Sequence, residues 1–136
     1  MEIKIYYEDT DCGGVVYYAN YFKYFERART DYLETHGLSI SDLHQQGIVF
    51  VVTDTNASFK SPARYGEILV IDTIISAPRK SVLTFSHIIR ERRSQRIIVE
   101  GAASLVMTKG LGKVKRIPPD FLEALKVGQK HPFTSS

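Results

Sequence analysis

Residues 6–37 read YYEDTDCGGVVYYANYFKYFERARTDYLETHG, and the run changes character part-way along. Asp9 to Gly14 is built from Asp, Thr and paired Gly, residue types that favour turns. From about Tyr18 or Asn20 the period becomes helical. Tyr21, Phe25, Ala28 and Tyr32 stand at i, i+4, i+7 and i+11, which is one face of an α-helix. Lys23, Arg27, Thr30 and Glu34 fall mostly on the other side. His36 occupies the last turn, and Gly37 follows as a stop signal. The spacing predicts a helix of about four turns. Its aromatic face must pack against something large.

The flanking sequence supplies that partner. Residues 2–8 alternate, with Ile3, Ile5 and Tyr7 on one face, and read as a strand. After the long helix, Ser39 to Gln46 reads as a short second helix with Ser39 or Ser41 as its cap. Past Gly47 the chemistry turns to β. Strands are expected at Ile48–Phe59, with a bend near Asp54 to Asn56, and at Glu67–Ala77, Val82–Glu91 and Arg96–Thr108. Ser61 to Gly66 (SPARYG), Pro78 to Ser81, Arg92 to Gln95 and Lys109 to Lys113 separate them. Pro118 and Pro119 introduce a final short helix, Asp120 to Lys126, and the last residues read as frayed. The order is strand, long helix, then four long strands with short connections, so neighbours are antiparallel. The class is α+β: a long central helix wrapped by a five-stranded antiparallel sheet. One helix covers one face of such a sheet, so the other face or a sheet edge has to meet a second subunit.

Residues 1–136 make one domain's length. Hydrophobic residues at 43% and charged residues at 24% exclude disorder as a description of the chain. The longest apolar run, Ile48 to Val52, is too short for a membrane span. The start, MEIKIYYEDT, lacks the apolar stretch of a signal peptide. A single cysteine, Cys12, forms no internal disulfide and builds no zinc site alone. A cytoplasmic setting is expected. The net charge of +3 is compatible with anionic partners without naming one. Lys and Arg are spread along the chain with no recognition motif, which argues against nucleic acid.

The turn before the long helix carries the candidate chemistry. A helix N-terminus offers free N–H groups and a partial positive charge, which can hold a developing oxyanion. Asp9 or Asp11 beside it could act as base or nucleophile. Gly13 and Gly14 let a substrate carbonyl approach the backbone. These parts suit hydrolysis of an acyl compound, although Asp and Gly in such a place ordinarily serve as caps and turn residues.

Tyr6 to Tyr17, Asn20, Tyr21 and the run Glu26 to Arg29 resemble the signature of the hotdog-fold acyl-CoA thioesterases. The resemblance is to the 4-hydroxybenzoyl-CoA thioesterase group and, within it, to the YbgC-like proteins. The strand order and the segment IPPDF at 117–121 extend it over nearly the whole chain. It implies that Asp11 is the catalytic carboxylate and that the Tyr18 backbone N–H is the oxyanion donor. Many YbgC-like members carry His where this chain has Tyr18, as the hydroxybenzoyl-CoA enzymes do. The small residue after Asp11, usually Ala or Pro, is Cys12 here. The resemblance places substrate at Gly14 and Val15. It also places coenzyme A phosphates at Arg79 and Lys80, with Arg64 as a further candidate. Arg and Lys suit phosphate by charge and geometry.

The expected function is hydrolysis of a short-chain or aromatic acyl-CoA. No metal and no cofactor is expected, coenzyme A being part of the substrate. The alternatives are a thioesterase acting on acyl carrier protein and a non-catalytic acyl-binding or scaffold module. The resemblance further implies a homodimer or homotetramer, with sheets joined edge to edge and each site built from two chains. Other features read as structural: His87 as a half-buried partner in its strand, Asp9 as the residue orienting the turn, and Gly110 to Gly112 as a hairpin turn.

Overall fold

The computed structural model describes residues 1–79, 81–110 and 112–125. In chain order it runs β1 (Glu2–Lys4), α1 (Asn20–Thr35), α2 (Ile40–Gln45), β2 (Ile48–Phe59), β3 (Ile68–Arg79), β4 (Val82–Glu91), β5 (Ile97–Lys109), β6 (Lys113–Lys115) and α3 (Pro119–Ala124). The sheet order is β1-β3-β4-β5-β2, every pair antiparallel. These are the five strands expected. The sixth, β6, forms a hairpin with Met107 to Lys109 of β5, beyond the point where β4 ends opposite Val106.

The first strand is shorter than its alternation suggests. Tyr7 to Asp9 forms a turn of 3₁₀ helix instead. The Tyr6 N–H donates to Asp9 Oδ2 at 2.9 Å, and the Asp9 and Thr10 amides donate to the Tyr6 and Tyr7 carbonyls. Local partners satisfy this backbone, so it has no need of a neighbouring strand.

β4 alternates strictly, and Leu83, Phe85, His87, Ile89 and Glu91 are buried on one side. Against the sheet α1 buries Tyr21, Tyr24, Phe25, Ala28 and Leu33. Full burial of one such large apolar side chain contributes about 1.5–3 kcal/mol. Phe25 sits over Gly101 of β5, where an added Cβ would come within 2.5 Å of its ring. The helix seats this deeply because that strand position has no side chain. Tyr32 is only half-buried, and its hydroxyl donates to the Leu125 carbonyl at 2.8 Å, tying α1 to the end of α3. His36 caps α1, and Gly37 follows at φ +86°. The expected bend in β2 is a bulge between Val52 and Asp54.

The two edges of the sheet differ. β1 is three residues long, whereas β2 presents twelve, with Val49, Val51, Val52 and Phe59 exposed.

Candidate active site

The segment between β1 and α1 is a tight hairpin fastened to the SPARYG loop. Thr10 bridges to Val16 and Val15 to Arg64. The Asp11 N–H donates to the Val15 carbonyl at 2.9 Å, and the Gly14 N–H to the Asp11 carbonyl at 3.1 Å. Gly14 makes this turn at φ +79°, where a side chain would be strained. The Val16 and Tyr65 amides donate to Ala63 and Gly14. Arg96 braces the far side of the loop through the Pro62 carbonyl at 3.0 Å and an ion pair with Glu67 at 3.1 Å.

Asp11 is exposed in this turn. Its Oδ1 accepts the Gly13 N–H at 2.8 Å, and among the described residues its Oδ2 accepts nothing. One carboxylate oxygen is thus held by the turn, and the other has no protein donor among the described residues.

The entry of α1 is uncapped by any side chain, with Ala19 at the N-cap in helical conformation. The Tyr17 N–H and the Asn20 side-chain amide both donate to the Asp9 carbonyl, at 3.1 and 2.9 Å. The first turn is tight: the Asn20, Tyr21 and Phe22 amides donate to the Tyr17, Tyr18 and Ala19 carbonyls. Among the described residues the Tyr18 and Ala19 amides therefore have no acceptor. Unfilled N–H groups at the positive end of a four-turn helix are donors of the kind that can hold an anion. Asp9 orients the turn, as its place suggested. Beside it the Tyr24 hydroxyl is buried, and burial first and the Asp9 charge second raise its pKa.

An open groove of about 320 Å³ starts at this entry, lined by Val16, Tyr18, Tyr21, Phe59, Ser61 and Pro62. Its aromatic rings sit close together, the centroids of Tyr18 and Tyr21 lying 6.0 and 5.8 Å from that of Phe59, and Tyr17, outside the lining, lies 4.9 Å from Tyr18. Tyr21 is a core residue, as its place on the helix face predicts, and also lines this groove; nothing in the sequence motif singles out Phe59. The signal for Phe59 was its place where an apolar strand runs into SPARYG.

The fold brings Asp11, Gly14, Val15, Tyr18 and Arg64 to one end of the sheet. Arg64 is exposed opposite Val15. Arg79 ends β3, roughly 36 Å along that strand from Ile68 and at the opposite end of the sheet. Lys80 lies outside the described residues. His87 is fully buried, where a half-buried position was expected. Its Nδ1 lies 2.9 Å from Thr73 Oγ1, and burial first and the Arg29 charge second hold its pKa down to about 3. It is remote from solvent and uncharged, and belongs to the core. Cys12 is an exposed free thiol.

The family model of the thioesterase superfamily matches residues 13–98. The chain belongs to the thioesterase superfamily. The acyl-CoA thioesterase YbgC of Haemophilus influenzae is 34% identical over 132 residues, covering 95% of this chain and 92% of that protein. The acyl-CoA thioester hydrolase YbgC of Escherichia coli O6:H1 is 42% identical over 84 residues; the match spans 62% of this chain and 63% of that protein's length. Among solved structures, the DHNA-CoA thioesterase of Staphylococcus aureus superposes with a TM-score of 0.84 at 31% identity, covering 93% of this chain and 87% of that one. The hotdog fold and the YbgC-like resemblance read from residues 6–29 are thus those of a thioesterase-superfamily member.

Proposed function

We propose that this thioesterase-superfamily protein hydrolyses acyl-CoA thioesters, with Asp11 as general base or nucleophile and the Tyr18 N–H as oxyanion donor. One observation carries the reading. A carboxylate with a free Oδ2 and a helix entry with unfilled amides share one end of the sheet, beside an aromatic groove. The substrate carbonyl accepts the Tyr18 N–H. Asp11 removes a proton as a water oxygen adds to the carbonyl carbon. The tetrahedral oxyanion collapses, the C–S bond breaks, and the departing thiolate takes the proton that Asp11 holds. The products are a carboxylic acid and free coenzyme A. In the nucleophilic variant an Asp11 oxygen adds first, the thiolate leaves, and water then opens the mixed anhydride. Water is the only co-reactant in either route.

The groove suits a short or aromatic acyl group; Val16 and Lys60 line it, Gly14 and Val15 directly precede Val16, and Arg64 bridges to Val15. A homodimer, or a pair of dimers, completes the site by joining two β2 edges antiparallel. The groove end of the sheet is the Phe59, Val99, Ile89 and Ile71 end; the other holds Ile48, Lys109 and Arg79. An antiparallel seam sets the second subunit's Arg79 end beside the first subunit's groove. Arg79 and Lys80 then serve the coenzyme A phosphates of the neighbouring site. The exposed free Cys12 accords with a reducing, cytoplasmic setting. Among the described residues no helix is long and apolar enough to cross a membrane.

Asp11→Asn tests the reading. Asn keeps an oxygen for the Gly13 amide, so the melting temperature should hold. Thioester turnover should fall by a factor of at least about 100, as for loss of a general base. Near wild-type rates on every accepted acyl-CoA would overturn the assignment.

A further inference from the structure

A second cavity, of about 360 Å³, lies between α1, α2 and the first half of β2. Most of its wall is apolar, including Leu33, Leu43, Phe50 and Leu105, but Arg29 and His44 line it too. Arg29 is half-buried on α1, and among the described residues it makes no hydrogen bond and no ion pair. A guanidinium carries five donors and a permanent charge. Holding it partly out of water without a partner is unfavourable unless an anion completes it. Burial pushes the Arg29 guanidinium down, and the Glu26 carboxylate one turn earlier pulls it back up. Glu26 is exposed at the rim and forms no ion pair with it among the described residues. Beneath the helix, His87 is neutral and leaves its Nε2 unpartnered, so it brings no countercharge.

The two cavities mark the two ends of one edge strand. The aromatic groove touches Phe59, and the Arg29 cavity touches Ile48 to Phe50 and Val52. Pairing two β2 edges antiparallel over their twelve residues sets the groove of each subunit against the other's Arg29 cavity. An acyl chain anchored by its thioester in one groove would extend into an apolar space ending at the neighbouring guanidinium.

We infer that the Arg29 cavity receives the distal end of the acyl group and selects acyl chains that end in a carboxylate. This rests on the acyl-CoA reading and the paired β2 edges proposed above. The apolar lining takes the methylenes, and Arg29 meets the terminal carboxylate in its fork geometry.

The test compares glutaryl-CoA with pentanoyl-CoA, a five-carbon pair differing in the terminal carboxylate. Wild-type kcat/KM, read by free-thiol release, should favour glutaryl-CoA by at least about tenfold, the scale of a charge-assisted hydrogen bond. In Arg29→Gln the ratio should fall to about one or below. Calorimetric binding of the same pair to Asp11→Asn protein, with and without Arg29→Gln, reads the cavity independently of turnover. There too glutaryl-CoA should bind tighter, and only with Arg29 present. Absence of a preference in the Asp11→Asn binding, or an equal effect of Arg29→Gln on both compounds, overturns the inference. If neither thioester is hydrolysed yet the binding preference follows Arg29, the hydrolytic reading fails and this one stands.

Discussion

His87 lies beneath α1 with 1% of its surface exposed, its ring stacked 4.8 Å from that of Phe25. Burial and the Arg29 charge keep it neutral, with a pKa of about 3. In the unfolded chain a histidine titrates near ~6.5. Between those values the unfolded state binds a proton that the folded state does not, so stability falls as pH drops. The contribution is intact above about pH 7 and declines below pH ~6 by up to about 1.4 kcal/mol per pH unit. Glu91 has the opposite chemistry but the same sign. The Arg93 and Ser94 amides hold its pKa down to about 2, so its contribution is lost only as pH falls below 4.5 toward 2. The interval from pH 7 to pH 5 therefore isolates the histidine. Urea unfolding should show wild-type protein losing stability across it, and His87→Gln should flatten the slope. A wild-type value equal at both pH values would contradict a buried neutral ring. The sequence placed His87 inside a strand correctly. The depth of its burial depends on Phe25 and Phe85 stacking over it, contacts that no strand pattern contains.

Between elements, the contact of α1 with β5 turns on Gly101. A Cβ there would lie 2.5 Å from the Phe25 ring and 2.8 Å from the Asn56 carbonyl oxygen, so one neighbour is a packed ring and the other is backbone. Gly101→Ala should destabilise the protein by roughly 1–3 kcal/mol, the scale of overpacking in a dense core. Differential scanning fluorimetry should show the midpoint several degrees lower, and an unchanged midpoint would mean that α1 shifts freely. The pattern at i, i+4, i+7 and i+11 announced α1 and its aromatic face, and the Gly37 stop was legible because a helix end favours a positive φ. β2 to β5 were legible from their apolar runs and breakers. The early end of β1 at Lys4 was not, because Asp9 reaches back to the Tyr6 amide and closes a local turn that alternation does not show. Of the candidate site, Asp9 and Asp11 stand out as paired carboxylates before a helix, whereas the choice of Asp11 and of Tyr18 comes from the family resemblance alone. That Tyr18 and Ala19 keep unfilled amides among the described residues depends on the local path of the chain, where the Asp9 carbonyl takes the Tyr17 amide and the Asn20 side chain instead. Phe59 meets Tyr18 only through the path of the sheet, and sequence separation hides such a contact.

At the scale of the molecule, the twelve-residue β2 edge, with Val49, Val51 and Val52 exposed, has no strand on its outer side among the described residues. Such an edge offers unpaired backbone groups and apolar surface to another strand. The antiparallel seam proposed here makes Arg79 and Lys80 of one subunit serve the groove of the other, and two measurements bear on it. First, changing both residues to Ala should raise KM for full acyl-CoA more than for acyl-pantetheine, which lacks the nucleotide phosphates. Second, chains carrying Asp11→Asn and chains carrying Arg79→Ala with Lys80→Ala should complement when mixed. A mixed dimer then holds one site with an intact Asp11 facing an intact Arg79, so an equal mixture should recover about a quarter of the wild-type sites. If Arg79 served its own chain's groove, mixing would restore nothing. The seam itself is open to attack. Val51→Lys with Val52→Lys places like charges across the two-fold pairing, where direct opposition is unfavourable. The variant should sediment as a folded monomer at micromolar concentration and lose nearly all turnover, because each groove would stand without its facing wall. A wild-type protein that light scattering shows to be a stable and fully active monomer would remove the shared site, and with it the route by which an acyl chain reaches Arg29.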